Sequence, residues 1–329
     1  MQREGVETQS AAYAGVSRSA RRGHSPFGDR LFRLVLLGAA WLVLLVVLAL
    51  FVELIVASWP GISSLGWHVL ANAKWDPNDG SFGVLAFVFG TIVTSAIALL
   101  IAGPIGLAVA LFLSDLAPRW LRQPTGMLVE LLAAVPSVVY GLWGLFVLAP
   151  IMRSYIEPAL SKTFGFLPLF QGYFYGVGVL AAGILLAIMV LPTVTAISRD
   201  VFTAVPMEQR EAMLALGATR WEMLSKAVVP YARSGVIGAL VLALGRALGE
   251  AMAVVMVIGN KPAIAASLFA PGYTMASVLA NEFTEATGQQ YLAVLIEIGA
   301  LLFIVSFIIN AGALLLVRNV SPKRRAARG

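Results

Sequence analysis

Residues 235–258 read GVIGALVLALGRALGEAMAVVMVI, an apolar run interrupted by two charges, Arg246 and Glu250. At about 1.5 Å rise per residue, a helix over this run carries Arg246 roughly 16 Å along it, near the midplane of a hydrocarbon core about 30 Å thick. An ionised side chain at that depth costs at least about 2.5–3.5 kcal/mol on the insertion scale, so it must face protein or a water-filled path. Spacing of four predicts both charged heads on one face of one helix. A fixed cation at mid-membrane points to a passing anion. The competing reading is a structural salt bridge, but Arg before Glu is the less favoured order for a helical pair.

The whole chain agrees with a membrane setting. Of its 329 residues, 59% are hydrophobic and 12% charged, against about 25% charged in soluble domains. Cysteine is absent, and the two histidines, His24 and His68, lie outside the apolar runs. No thiolate or imidazole metal centre and no catalytic nucleophile are expected. The net charge of +6 is better read as membrane orientation signals than as a nucleic-acid footprint.

Apolar runs at about 31–57, 84–114, 125–152, 173–198, 235–258 and 291–317 are each long enough to span. The predicted fold class is therefore an all-α integral membrane protein with six transmembrane helices. With the N-terminus inside, eighteen lysines and arginines fall on cytoplasmic segments, and only Lys74, Arg153, Lys162 and Lys261 fall outside. That asymmetry predicts both termini in the cytoplasm and a plasma (inner) membrane location. A polar, disordered tail is expected over 1–28, the permease-like body over 29–318, and a basic tail over 319–329. Pro104, Pro136 and Pro192 are expected inside spans, where each frees a carbonyl. The long external connections 58–83 and 259–290 are read as solvated loops or as surface for an external partner.

Between the fourth and fifth runs lies a segment, about 206–230, with its own punctuation. Pro206 can open a helix and Gly217 can close it in the left-handed conformation. Thr219 and Glu222 form a Thr-x-x-Glu capping box for a second helix. Pro230 ends that helix or marks entry to the fifth span. A short helix-turn-helix on the cytoplasmic face is expected, as a docking element for a cytoplasmic protein.

Here the chain resembles a family. Glu211-Ala212-Met213, Gly217 and Ala227-x-Val229-Pro230 are similar to the loop of integral permeases of ATP-binding-cassette importers, with Met213, Ala227 and Val229 as apolar departures. Pro136-Ser-Val-Val-Tyr-Gly141, Leu244 to Val254 and Ile258-Gly-Asn260 resemble the phosphate-specific (Pst) permeases, of the type I importer class. Phe82-Gly83, Gly90-Thr91 and Phe112-Leu-Ser-Asp-Leu-Ala-Pro118 resemble the PstC subunit rather than PstA. The resemblance implies that Glu211, Ala212, Gly217 and Pro230 belong to the element that engages the ATPase. It also implies that Arg246 and Glu250 fall on positions tied to phosphate translocation. A PstA-like second permease, a PstB-like ATPase dimer using ATP and Mg, a PstS-like phosphate-binding protein and membrane lipid are the implied partners; nucleic acid is not among them.

No Gly-x4-Gly-Lys-Ser/Thr cradle occurs in the chain, so it is expected to bind no ATP and to be no enzyme by itself. Gly245 and Gly249 form a small-x3-small pair that predicts close helix contact, either with the partner permease or within this subunit. Glu53, Glu130 and Glu297 are further acids in or near spans. They are read as structural or interface residues before pathway residues. The alternatives to phosphate import are a permease for sulfate or molybdate, a phosphate-status sensor that does not conduct, and an ion-coupled carrier.

Overall fold

The computed structural model describes residues 26–66 and 68–320. They form two compact units, one ending at Glu53 and one beginning at Leu54. Helix α1, Pro26–Leu65, runs across that boundary. In the first unit its large apolar side chains, from Leu31 to Leu50, are exposed all round, as suits a helix whose neighbour is lipid.

The second unit follows in the order α2 (His68–Ala71), β1 (Trp75–Asp76), β2 (Ser81–Phe82), α3 (Leu85–Leu116), α4 (Arg119–Ala134), α5 (Ser137–Phe164) and α6 (Val179–Thr203). After these come α7 (Met207–Ala215), α8 (Arg220–Gly249), α9 (Met252–Val257), α10 (Met275–Glu282) and α11 (Gln289–Val320). Among the described residues six helices are long and apolar enough to cross a membrane: α1, α3, α5, α6, α8 and α11. The expected tails 1–28 and 319–329 lie outside the described residues at 1–25 and 321–329, while Pro26, Phe27 and Gly28 belong to α1 and Asn319 and Val320 to α11.

Three of the six expected spans move. The run at 125–152 is two helices, because Pro136 confines Val135 to an extended conformation (φ −65°, ψ 128°) and ends α4 there. Pro136 therefore lies between helices, whereas Pro104 and Pro192 lie inside α3 and α6 as expected. The run at 173–198 begins as helix only at Val179, and the run at 235–258 belongs to a helix that starts at Arg220 and stops at Gly249.

Helix α6 is the axis of the packed unit, buried along most of its length. Its backbone comes close to α3: a Cβ on Gly183 would lie 2.6 Å from Ile97, and one on Gly106 would lie 2.8 Å from Val194. Close approach of this kind is how helices gain packing energy where lipid supplies no hydrophobic drive. Apolar side chains of α3, α5, α6, α8 and α9 fill the middle, around Leu185, Leu186, Met152 and Val254.

A second cluster joins the hairpin to α10 and α11 through Trp75, Phe82, Phe87, Tyr273 and Val294. Here Glu282 accepts from Trp75 Nε1 at 3.0 Å and from the Tyr291 hydroxyl at 2.6 Å. Tyr273 accepts from Asn281 at 2.7 Å, and burial pushes its phenol above the usual range. The connections 58–83 and 259–290, expected as solvated loops or as surface for an external partner, thus hold packed elements of their own. A third cluster, at the opposite end of α3, packs Ala110, Phe202, Val205 and Leu224 beneath α7.

Candidate functional site

Helix α8 ends three residues after Arg246. Glu250 is extended (φ −74°, ψ 120°), and a new short helix begins at Met252. This corrects the expectation of one continuous helix with Arg246 near its middle and both charges on one face. The cause is tertiary. The first amides of α6 have no partner in their own helix. Those of Gly178, Val179 and Leu180 instead donate to the carbonyls of Val257, Ala270 and Leu268, at 2.9, 3.1 and 2.8 Å. Held there, residues 250–274 cannot continue α8. Gly259 and Asn260 both take positive φ, and Asn260 Nδ2 closes α9 on the Val255 carbonyl at 2.9 Å. Non-helical backbone at membrane depth is tolerated only where protein covers it or water lines it.

The break separates the two charges. Arg246 is exposed, and its Nη1 donates to Thr193 Oγ1 of α6 at 3.4 Å. Glu250 is half-buried, and its Oε1 accepts from the Ala253 amide at 3.3 Å. Among the described residues no ion pair joins them. The guanidinium carries five N–H donors in a planar fork, and Thr193 engages one weakly, so most are available to a ligand. Thr193 was not singled out from the sequence. Its only signal was its place directly after Pro192, where the missing amide already weakens the α6 ladder.

The glycine pair is also divided. A Cβ on Gly245 would meet Asn310 of α11 at 3.5 Å, inside this chain, whereas one on Gly249 would meet nothing within 4 Å.

The 206–230 segment follows its punctuation closely. Pro206 precedes α7, Gly217 is left-handed (φ 81°), and Thr219 with Glu222 forms a reciprocal capping box. Lys226 adds a 2.9 Å bond to Glu222. The second helix is not short, however. It runs on as α8 through a π turn at Leu224–Val228 and passes Pro230 without ending. A proline ring collides with the carbonyl four residues back, and widening the ladder just before Pro230 removes that collision. Glu211 and Ala212 face solvent beside Met207, Leu214, Leu216 and Trp221, with Leu216 84% exposed.

The other acids scatter. Glu53 is exposed, and Glu130 accepts from Arg199 at 3.3 Å on the surface. Glu297 is buried opposite Gly61, and its Oε2 lacks a hydrogen-bond partner among the described residues.

Residues 102–326 match the family of binding-protein-dependent transport system inner membrane components. The phosphate transport system permease protein PstC of Mesorhizobium japonicum is 44% identical over 94% of this chain and 96% of its own length. That of Pasteurella multocida is 43% identical over 90% and 93%. This chain belongs to the PstC-type permeases of that family. The fold agrees with solved type I importers. The MetNI methionine ABC transporter in an inward-facing conformation aligns with a TM-score of 0.55 at 18% identity, over 76% of this chain and all of its own. A bacterial alginate ABC transporter aligns at 0.56 and 15%, over 90% and 98%. A permease of this family is a multi-pass inner-membrane subunit that works with an ATPase and a substrate-binding protein, and is not itself a catalyst.

Proposed function

We propose that this permease forms, with a PstA-like second permease, the translocation path of an ATP-driven inorganic phosphate importer. A PstB-like ATPase dimer, using ATP and Mg, would dock on Glu211, Ala212 and the exposed apolar side chains around them, with Gly217 and Pro230 shaping that element. A PstS-like protein would deliver phosphate at the opposite face, and both termini would be cytoplasmic. The observation that carries the reading is Arg246: an exposed guanidinium with unspent donors at the broken end of a spanning helix, in a chain 44% identical to a phosphate transport permease.

Guanidinium binds a phosphoryl oxyanion through two parallel hydrogen bonds. A single arginine gives a stop that an anion can leave, as conduction requires. Thr193 can offer its hydroxyl proton to the same anion. Glu250 accepts hydrogen bonds only, so it favours a phosphate that still carries a proton over fully ionised sulfate.

Labelled phosphate uptake is the test, in cells whose only copy carries Arg246→Gln, at matched membrane abundance. Loss of a charge-assisted contact worth about 2 kcal/mol predicts a fall of roughly 30-fold. Wild-type uptake would remove Arg246 from the path. Glu250→Gln is expected to keep uptake within about threefold while raising competition by sulfate. An unchanged preference would remove Glu250 as a selector.

A further inference from the structure

Arg210 precedes Glu211 on α7, yet it turns away from the surface that its neighbours present. It is only 8% exposed. Its Nε donates to Asp115 Oδ1 at 2.9 Å, its Nη2 to the Phe202 carbonyl at 2.7 Å, and its Nη1 to the Val205 carbonyl. The second oxygen of Asp115 accepts from Ser114 Oγ at 2.7 Å. One planar group therefore holds three pieces of the fold: α7 itself, the π turn Phe112–Leu116 that closes α3, and the chain leaving α6.

The location makes the arrangement selective. A cation against the last carbonyls of α6 is placed where the helix dipole favours it. The two carbonyls that accept from Arg210 belong to Phe202 and Val205, members of the buried apolar cluster that also holds Ala110 and Leu224. The other ion pairs among the described residues are far more open. Arg210–Asp115 alone has both side chains about one-tenth exposed, at 10% and 9%. Replacing a buried pair with apolar residues commonly costs nothing in stability, so stability alone does not account for it. What the fork adds is direction. Its donors meet acceptors on α3 and α6 in a fixed geometry, and sliding α7 without carrying those helix ends would strand a buried carboxylate and a buried guanidinium.

We propose that Arg210 is a positioning residue that makes α7 move as one body with the ends of α3 and α6. A push on the exposed side of α7 then reaches α6, which carries Thr193 against Arg246, instead of being absorbed by bending at residues 204–206. This inference rests on the reading of α7 as the ATPase-facing element and is independent of which anion is carried.

The experiment uses the full complex, with second permease, ATPase and binding protein, reconstituted in vesicles. Three quantities are read: ATPase co-purified per permease, ATP hydrolysed, and anion transported per ATP. Arg210→Gln is expected to retain the ATPase and hydrolyse ATP, while transport per ATP falls about tenfold or more. Arg210→Lys keeps the charge but not the fork, and an intermediate loss is expected. Transport per ATP within twofold of wild type in Arg210→Gln would overturn the proposal. So would a loss explained entirely by a detached ATPase. Should Arg210→Gln fail to accumulate, Asp115→Ala removes the acceptor for Nε on α3 and leaves Arg210 its two carbonyl partners at the end of α6. It is expected to accumulate and to be uncoupled, and full coupling in it would overturn the proposal. A wild-type complex that transports sulfate but not phosphate would overturn the phosphate reading alone. A permease that binds no ATPase would overturn both.

Discussion

At Arg220, α8 begins through chemistry contained within a few residues: a left-handed Gly217, then the exchange between Thr219 and Glu222. At Gly249 the same helix stops in the middle of an apolar run, because the segment beyond it is fastened to the first amides of α6. One end is written locally, and the other is imposed by a distant part of the fold. The locally written end faces solvent and suits docking. The imposed end lies among the spanning helices and leaves Arg246 with donors to spare. Where function needs a break in a membrane helix, the break has to be held from outside, since the free carbonyls it creates have no water to turn to.

The sharpest way to break this contrast is Gly178→Ala. Its Cβ would lie 2.5 Å from the Phe269 carbonyl oxygen and 2.8 Å from that of Ala270, and overpacking of this kind costs about 1–3 kcal/mol. Hydrogen exchange is expected to show amides 252–258 losing protection while 220–228 keep theirs. Equal loss at both ends would mean that they are not held independently. A smaller effect is expected from Gly217→Val, since a β-branched residue held at positive φ costs about 1–2 kcal/mol. It should weaken ATPase co-purification and leave the unfolding temperature of the spanning body within a degree or two. The smallest is Thr219→Ala, which removes one cap worth about 1 kcal/mol. It is expected to fray the first turn of α8, seen as faster exchange at Arg220–Met223, and to leave exchange at 252–258 untouched.

The same contrast explains what the sequence conveys. Hydrophobic runs revealed six spans, because burial in lipid is a one-dimensional property of the chain. The capping box and Gly217 were legible because their partners lie within four residues. The break at Gly249 was not, since its cause sits at Gly178–Leu180, far away in sequence. Arg246 was conspicuous as a charge in an apolar run, but its partner Thr193 had no comparable mark. Arg210 carried no signal beyond its place beside Glu211, and Asp115 stood out only as part of the Phe112–Pro118 stretch, with nothing to name its partner. Their meeting depends on the third dimension alone.

The π turn at Leu224–Val228 carries one residue more than an α-helical ladder needs. Everything after it on α8 is rotated by roughly 100° relative to an unbroken α-helix counted from Arg220. The turn has absorbed that residue, so a deletion inside it would restore a plain α-helical ladder and leave the downstream phase nearly unchanged. A deletion between Pro230 and Arg246 would instead act as a dial, swinging Arg246 by about 100° away from Thr193 and turning a charge aimed at the path towards another neighbour. Length and phase are separable quantities in this helix, and insertions or deletions will be read by the second more than by the first.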